Sequence, residues 1–194
     1  MSLDLHDYGL SAQCYTVRLL LALLAVPHTT IAVDVYPGGA EAPVLTDGEI
    51  ELREPGLILM FLAREHDAAG TWLPAAGIEP VSRWLAFAAT ELVPLGDARM
   101  VATLGQPGNL DGLNRAGRAA LRKIEDHLTL QALAGHDWLA GDTPTTADIA
   151  VFPAVALSHD SGIGHEDFPA INLWQRRVRK LPGFVGMPGI PDYF

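Results

Sequence analysis

One cysteine in 194 residues is too few for an internal disulfide, a CxxC dithiol or a multi-cysteine zinc site. A single thiol fits a reducing compartment. Basic residues are also scarce: 13 Lys and Arg face 23 Asp and Glu, a formal net charge of -10 with neutral histidines. That field repels phosphate backbones and anionic lipid surfaces, so neither nucleic acid nor membrane is expected as a partner. The longest strongly apolar run, Leu19 to Pro27, falls well short of the roughly 20 residues needed to cross a bilayer. The opening Leu3-Asp4-Leu5-His6-Asp7 has no basic n-region and no continuous apolar h-region, so no cleaved secretion signal is expected, and cytoplasm is the expected location. His6, His28, His66, His127, His136, His159 and His165 are dispersed without HExxH or Cys-His spacing, and no metal is expected. What is abundant is apolar surface: 49% hydrophobic residues suffice for one substantial core or two small ones without a staple.

Charge divides the chain. Through Pro74 there are ten acidic residues against three basic ones, Arg18, Arg53 and Arg64, and most of the remaining basic residues fall on helical patterns further on. The acidic part alternates short strand signals with apolar helices. Residues 2–6 read as a strand. Ser11 can cap a helix running to Ala25, where Pro27 is expected to stop it. Thr29 to Val35 is β-branched enough for a second strand, and the crossover implies parallel pairing. The intervening helix is apolar on more than one face, so it needs a sheet on one side and a second unit on the other. Tyr36 to Pro43 reads as a compact turn. Val44 to Thr46 and Ile50 to Arg53 flank Asp47-Gly48, a type I' hairpin signal. Pro55 and Gly56 open the next helix, with Leu57, Ile58, Phe61 and Leu62 as its expected packing face. The order β-α-β-β-β-α fits one small mixed sheet.

The remainder is helical. One pattern runs from Val81 to Leu92, where Pro94 is expected either to end the helix or to kink it into a continuation through Ala102, and a long one runs from Leu110 to Leu133. Others run from Thr146 to about Ser158 and from Pro169 to Lys180. Thr145 and Asp148 fit a capping box, a structural role. Arg176, Arg177, Arg179 and Lys180 suit a helix C-terminus. Trp84, Phe87, Trp138, Phe152 and Trp174 are candidates for an apolar interdomain cavity, although helix packing accounts for most of them.

Several short segments, in order, carry a family resemblance. Ser11-Ala12-Gln13-Cys14-Tyr15-Thr16-Val17-Arg18 resembles the first strand-to-helix segment of the soluble glutathione S-transferases. Ala42-Pro43-Val44-Leu45 is similar to their Val-Pro-Val-Leu segment, and Trp72-Leu73-Pro74 to their domain junction. Trp138 to Asp142, followed by Thr145 to Ala150, resembles the most diagnostic part of their helical domain, and Pro182-Gly183-Phe184 the end of a late helix. The resemblance spans about residues 3–184. It implies a thioredoxin-like α/β domain over residues 1–74, an all-helical domain over residues 78–194, glutathione as cosubstrate, and a homodimer.

The resemblance makes Ser11 the leading catalytic candidate, a hydroxyl that donates to the glutathione sulfur and favours its thiolate. A plain helix cap accounts for a serine there equally well. Tyr8 and Cys14 compete for the role, Cys14 more simply as a packing residue. Ala42, Pro43 and Val44 are the expected peptide-pairing segment, with Pro43 matching the family's cis-proline, a bend the scaffold needs with or without a ligand; Glu54 either attracts the γ-glutamyl ammonium or simply begins the following helix with Pro55. Two departures bear on that site: Pro55 lacks the hydroxyl and backbone donor that relatives supply, and the connection from Val35 to Pro43 has no room for their helix. Arg18 fits an anion contact or an interdomain salt bridge. The implied activity is addition of the thiolate to a small electrophile bound between the domains; a noncatalytic binding module on the same fold, or a glutathione-dependent reductase or isomerase, are the alternatives.

Overall fold

The computed structural model of the protein describes residues 3–33 and 43–187. Four strands and two helices come first: β1 (Leu3–Asp7), α1 (Ala12–Leu23), β2 (Thr29–Ala32), β3 (Val44–Asp47), β4 (Ile50–Leu52) and α2 (Pro55–His66). Five helices follow: α3 (Ile78–Thr90), α4 (Val93–Leu104), α5 (Leu110–Leu133), α6 (Thr146–Ala156) and α7 (Pro169–Arg179). This is the thioredoxin-like sheet followed by an all-helical part. No helix among the described residues is long and apolar enough to cross a membrane.

The sheet runs in the order β2-β1-β3-β4, with β1 parallel to β2 and antiparallel to β3. β1 buries Leu3, Leu5 and Asp7 on one face by strict alternation. α1 buries Cys14, Tyr15, Val17, Leu19, Leu20 and Leu21 completely, because it packs against α2 on one side and against α6 on the other. A helix apolar on more than one face thus finds its second neighbour in the helical half. One continuous apolar core joins the two halves, and Thr146 N donates to Trp72 O at 2.8 Å where the chain passes between them.

Several local expectations are corrected. α1 ends at Leu23, four residues before Pro27, because Ala25 takes a left-handed φ of 52°. Val26 N then reaches Leu21 O and Ala25 N reaches Ala22 O, a Schellman stop usually built on glycine. The β3–β4 hairpin turns on Gly48-Glu49, one residue later than expected, with positive φ at Gly48 alone, so it is not a type I' turn. On α2 the buried face is Ile58, Leu59, Leu62 and Ala63, whereas Leu57 is 54% exposed. Of the outcomes left open at Pro94, an end, a kink or a continuation through Ala102, the chain takes the first, with a break at Glu91 and Leu92. Pro94 sits in the first turn of a separate helix, where its missing N–H costs nothing. α6 closes at Ala156 and passes into a 3-10 turn over Ser158–Ser161.

Candidate functional site

Both sheet-side helices begin at the same cleft. The chain leaves β1 at Asp7, turns through Tyr8, Gly9 and Leu10, and enters α1 at Ser11, whose Oγ accepts from Cys14 N at 3.2 Å. A hydroxyl has two acceptor lone pairs and one proton, so capping spends only a lone pair; the same side chain also hydrogen-bonds the Cys14 side chain. α2 starts the same way, with Glu54 Oε2 accepting from Leu57 N at 2.7 Å and Pro55 filling the first helical position. The cleft between them and the helical half has a volume of about 620 Å³. Tyr8, Ser11, Gln13, Arg53 and Glu54 line one side. Leu85, Ala88 and Ala89 of α3, Gly96, Asp97 and Met100 of α4, and Ala150, Pro153 and Ala154 of α6 line the other. A polar sheet-side rim therefore faces a largely apolar helical wall, with the positive end of α1 directed at the space between.

The three thiol candidates separate by environment. Ser11 and Tyr8 line the cleft. Cys14 does not: it is fully buried one turn into α1, its Sγ accepts from Tyr8 N at 3.3 Å, and burial pushes its thiol above the ordinary range. A buried thiol kept protonated is a packing residue and a poor nucleophile.

The peptide-pairing segment is only partly visible. Ala42 and most of the Val35-to-Pro43 connection lie outside the described residues. Pro43 and Val44 are buried at the head of β3 and do not line the cleft. Val44 pairs with His6, and the β3–β4 ladder reaches only Leu45↔Leu52, so Val44 has a strand partner on its β1 side alone. Glu54 lies on the rim with its carboxylate turned over Gly56: a methyl group there would meet Oε2 at 3.0 Å.

Two expectations are overturned here. Arg18 is neither an interdomain bridge nor an open anion site, because it pairs with Asp7 and donates to Gly9 O at 3.1 Å, both within the sheet half. The aromatic cavity is not formed either: among the described residues Tyr8 is the one aromatic ring on the lining. Phe152 and Trp174 meet edge to face inside the helical core with centroids 6.0 Å apart, and Trp84 meets Phe87 at 5.1 Å. Small side chains on α3, α4 and α6, set between Leu85, Met100 and Pro153, make the wall instead.

Sequence reading also missed Asp97 and Arg99 on α4. Both are charges interrupting an otherwise apolar stretch, a signal that marks a residue as unusual without saying which way it points. His165 is a third omission. Its ring is buried between Ser158 Oγ at 2.7 Å and Gln175 Nε2 at 2.9 Å, where burial and the neighbouring His159 lower its pKa to about 4.

Comparison with known proteins bears on the whole chain. Residues 107–177 match the glutathione S-transferase C-terminal domain family. Glutathione S-transferase GST-4.5 of Xanthomonas campestris pv. campestris is 26% identical over 169 residues, covering 85% of this chain and 82% of its own. Glutathione S-transferase verG of Clonostachys rogersoniana is 26% identical over 136 residues, and the match takes in 65% of this chain but only 56% of that protein's length. The crystal structure of a possible glutathione S-transferase from Rhodopseudomonas palustris superposes with a TM-score of 0.82 at 28% identity, covering 98% of this chain and all of that one.

Proposed function

The chain belongs to the glutathione S-transferase family, and from that premise we propose that it conjugates glutathione to a small, predominantly apolar electrophile. The observation that carries the proposal is the place of the Ser11 hydroxyl, on the lining of the cleft at the N-terminus of α1, where a ligand sulfur would compete with the Cys14 side chain for its proton. Glutathione lies along the sheet-side rim, with its cysteine sulfur at Ser11, its backbone toward the edge of β3 at Val44 that has no strand partner, and its γ-glutamyl ammonium toward Glu54. The Ser11 O–H donates to the sulfur and the α1 N-terminus adds positive potential; both favour the thiolate over the thiol. The thiol proton passes to water, and the thiolate electron pair forms the carbon–sulfur bond with an electrophile held on the wall of α3, α4 and α6; either the carbon–leaving group bond breaks and the leaving group departs with its pair, or a π bond breaks and its pair takes a proton from water.

Glutathione is held weakly. Glu54 already serves Leu57 N, and Pro55 offers no donor for a carboxylate. The same facts favour a noncatalytic glutathione-fold binding module as the second reading, and a homodimeric cytoplasmic protein with a domain division between residues 74 and 78 is part of both. Calorimetric titration with glutathione is expected to give a millimolar dissociation constant; a submicromolar one refutes the weakness. Ser11→Ala is expected to lower conjugation by about 10-fold to 1000-fold and to raise the bound thiol's pKa, the scale of one preorganised donor. Cys14→Ala should keep most activity, and Tyr8→Phe should cost less than loss of the serine hydroxyl. A folded protein silent in both titration and conjugation selects the binding module.

A further inference from the structure

We propose that Arg99 on α4 is a positioning residue for the loop that carries Tyr8 and Ser11, fastening that loop to the helical half of the protein. Its catalytic consequence rests on the reading of Ser11 given above; the fastening itself does not. Arg99 is 5% exposed. Its Nε donates to Asp160 Oδ2 at 2.7 Å, and its Nη1 donates to the carbonyl of Leu10, the residue immediately before Ser11. One rigid guanidinium thus spans an acceptor in the helical half and an acceptor in the sheet half, which the single ammonium of a lysine cannot do in the same geometry.

The loop's other carbonyls are held from its own side. Tyr8 O accepts from Ser11 N at 2.9 Å, and Gly9 O accepts from Arg18 Nη2 at 3.1 Å. Those two bonds set the shape of the turn. Arg99 sets where that shape sits against α4, whose Gly96 and Met100 line the cleft opposite Ser11. Stability alone does not call for the arrangement, since a buried ion pair is commonly no more stabilising than apolar side chains of similar size. A pair that reaches across to the residue before the candidate donor is instead suited to fixing geometry.

The chain's single cysteine reports on this loop, because Cys14 lies beneath it with Sγ accepting from Tyr8 N and N donating to Ser11 Oγ. Wild type, Arg99→Lys, Arg99→Leu and Asp160→Asn are labelled with an aromatic disulfide reagent at fixed pH across subdenaturing urea. In parallel, the pKa of bound glutathione is followed by ultraviolet difference spectroscopy, and kcat and KM are measured separately. The Arg99 variants are expected to label about 10-fold to 100-fold faster, the scale of one charge-assisted hydrogen bond, with the weak urea dependence of a local opening. The bound thiol's pKa should rise, and kcat should fall more than KM changes. Unchanged labelling, or acceleration with the full urea dependence of global unfolding, overturns the fastening. Faster labelling with an unchanged thiol pKa, while Ser11→Ala raises it, overturns the positioning of Ser11. An unchanged pKa in Ser11→Ala itself overturns the reading of Ser11 and the catalytic consequence together, leaving Cys14 labelling to decide the fastening. If the Arg99 variants do not fold, Asp160→Asn, at a side chain 21% exposed, carries the same comparison.

Discussion

Asp148, wholly buried at the start of α6, ties together three segments of the helical half, and its replacement tests how the far wall of the cleft is held. Oδ1 accepts from Leu139 N at 3.1 Å and from Trp174 Nε1 at 2.8 Å, while Oδ2 accepts from Thr145 N at 2.9 Å. Asp148→Ala orphans these three buried N–H donors and also releases the Thr145 hydroxyl, which donates to Oδ2 at 3.4 Å. At about 1 to 3 kcal/mol each the gross loss is large, but removing the carboxylate also removes its desolvation cost, which raises its pKa despite those donors. A net loss of about 3 to 5 kcal/mol is expected, a large share of the roughly 5 to 15 kcal/mol that holds a typical domain folded. Asp148→Asn keeps an oxygen for Leu139 and Trp174 and turns an amide NH2 toward Thr145 N, donor against donor. It should lose about 1 to 3 kcal/mol. Urea unfolding read by tryptophan fluorescence, with an unchanged m-value, measures both. Equal losses in the two variants, or a loss below about 1 kcal/mol in Asp148→Ala, refute the shared-acceptor account.

His165 gives a pH dependence. Its folded pKa of about 4 lies below the ordinary 6.5, so the unfolded chain takes up a proton that the folded one refuses. Stability present above about pH 6.5 is therefore lost as pH falls to about 4, by roughly 3 kcal/mol, and a His165→Asn variant should show a correspondingly flatter urea-midpoint profile over that window. Gly117→Ala should destabilise by about 1 to 3 kcal/mol in the same unfolding assay despite alanine's better helix propensity, because a Cβ there would sit 2.4 Å from Leu95 Cδ2 where α4 crosses α5. Ala25→Gly should stabilise by about 0.5 to 1 kcal/mol, since the left-handed φ of 52° strains an alanine and not a glycine; a lower melting temperature would contradict that.

Local chemistry was the legible part of this protein. Ser11, Glu54-Pro55 and the Thr145–Asp148 box are caps whose partners lie within one turn, and α5 runs from Leu110 to Leu133 as its apolar period requires. What escaped were choices made by distant partners. Ala25 is held in its strained stop by the packing of the leucine run before it, and Leu57 yields its place on α2 to Leu59 because the buried face is set by what α2 meets. Arg18 and Arg99 show the same limit for charge. Nothing near Arg18 in the chain distinguishes a ligand contact from a bond to Gly9, and Leu10 is 89 residues from Arg99. The pairing role of Ala42 and Pro43 rests on resemblance alone.

Much of the depth of the cleft comes from what Ala88, Ala89, Gly96, Ala150 and Ala154 do not possess, between the bulkier Leu85, Met100 and Pro153. Where side chains are missing, the wall limits bulk more than outline. Its dimensions are also adjustable: one added methyl or isobutyl group at any of these positions would narrow the space locally, with the polar rim on the opposite side left intact. Exchange of single residues at these positions is thus a direct route by which such a scaffold could change the size of the space it encloses.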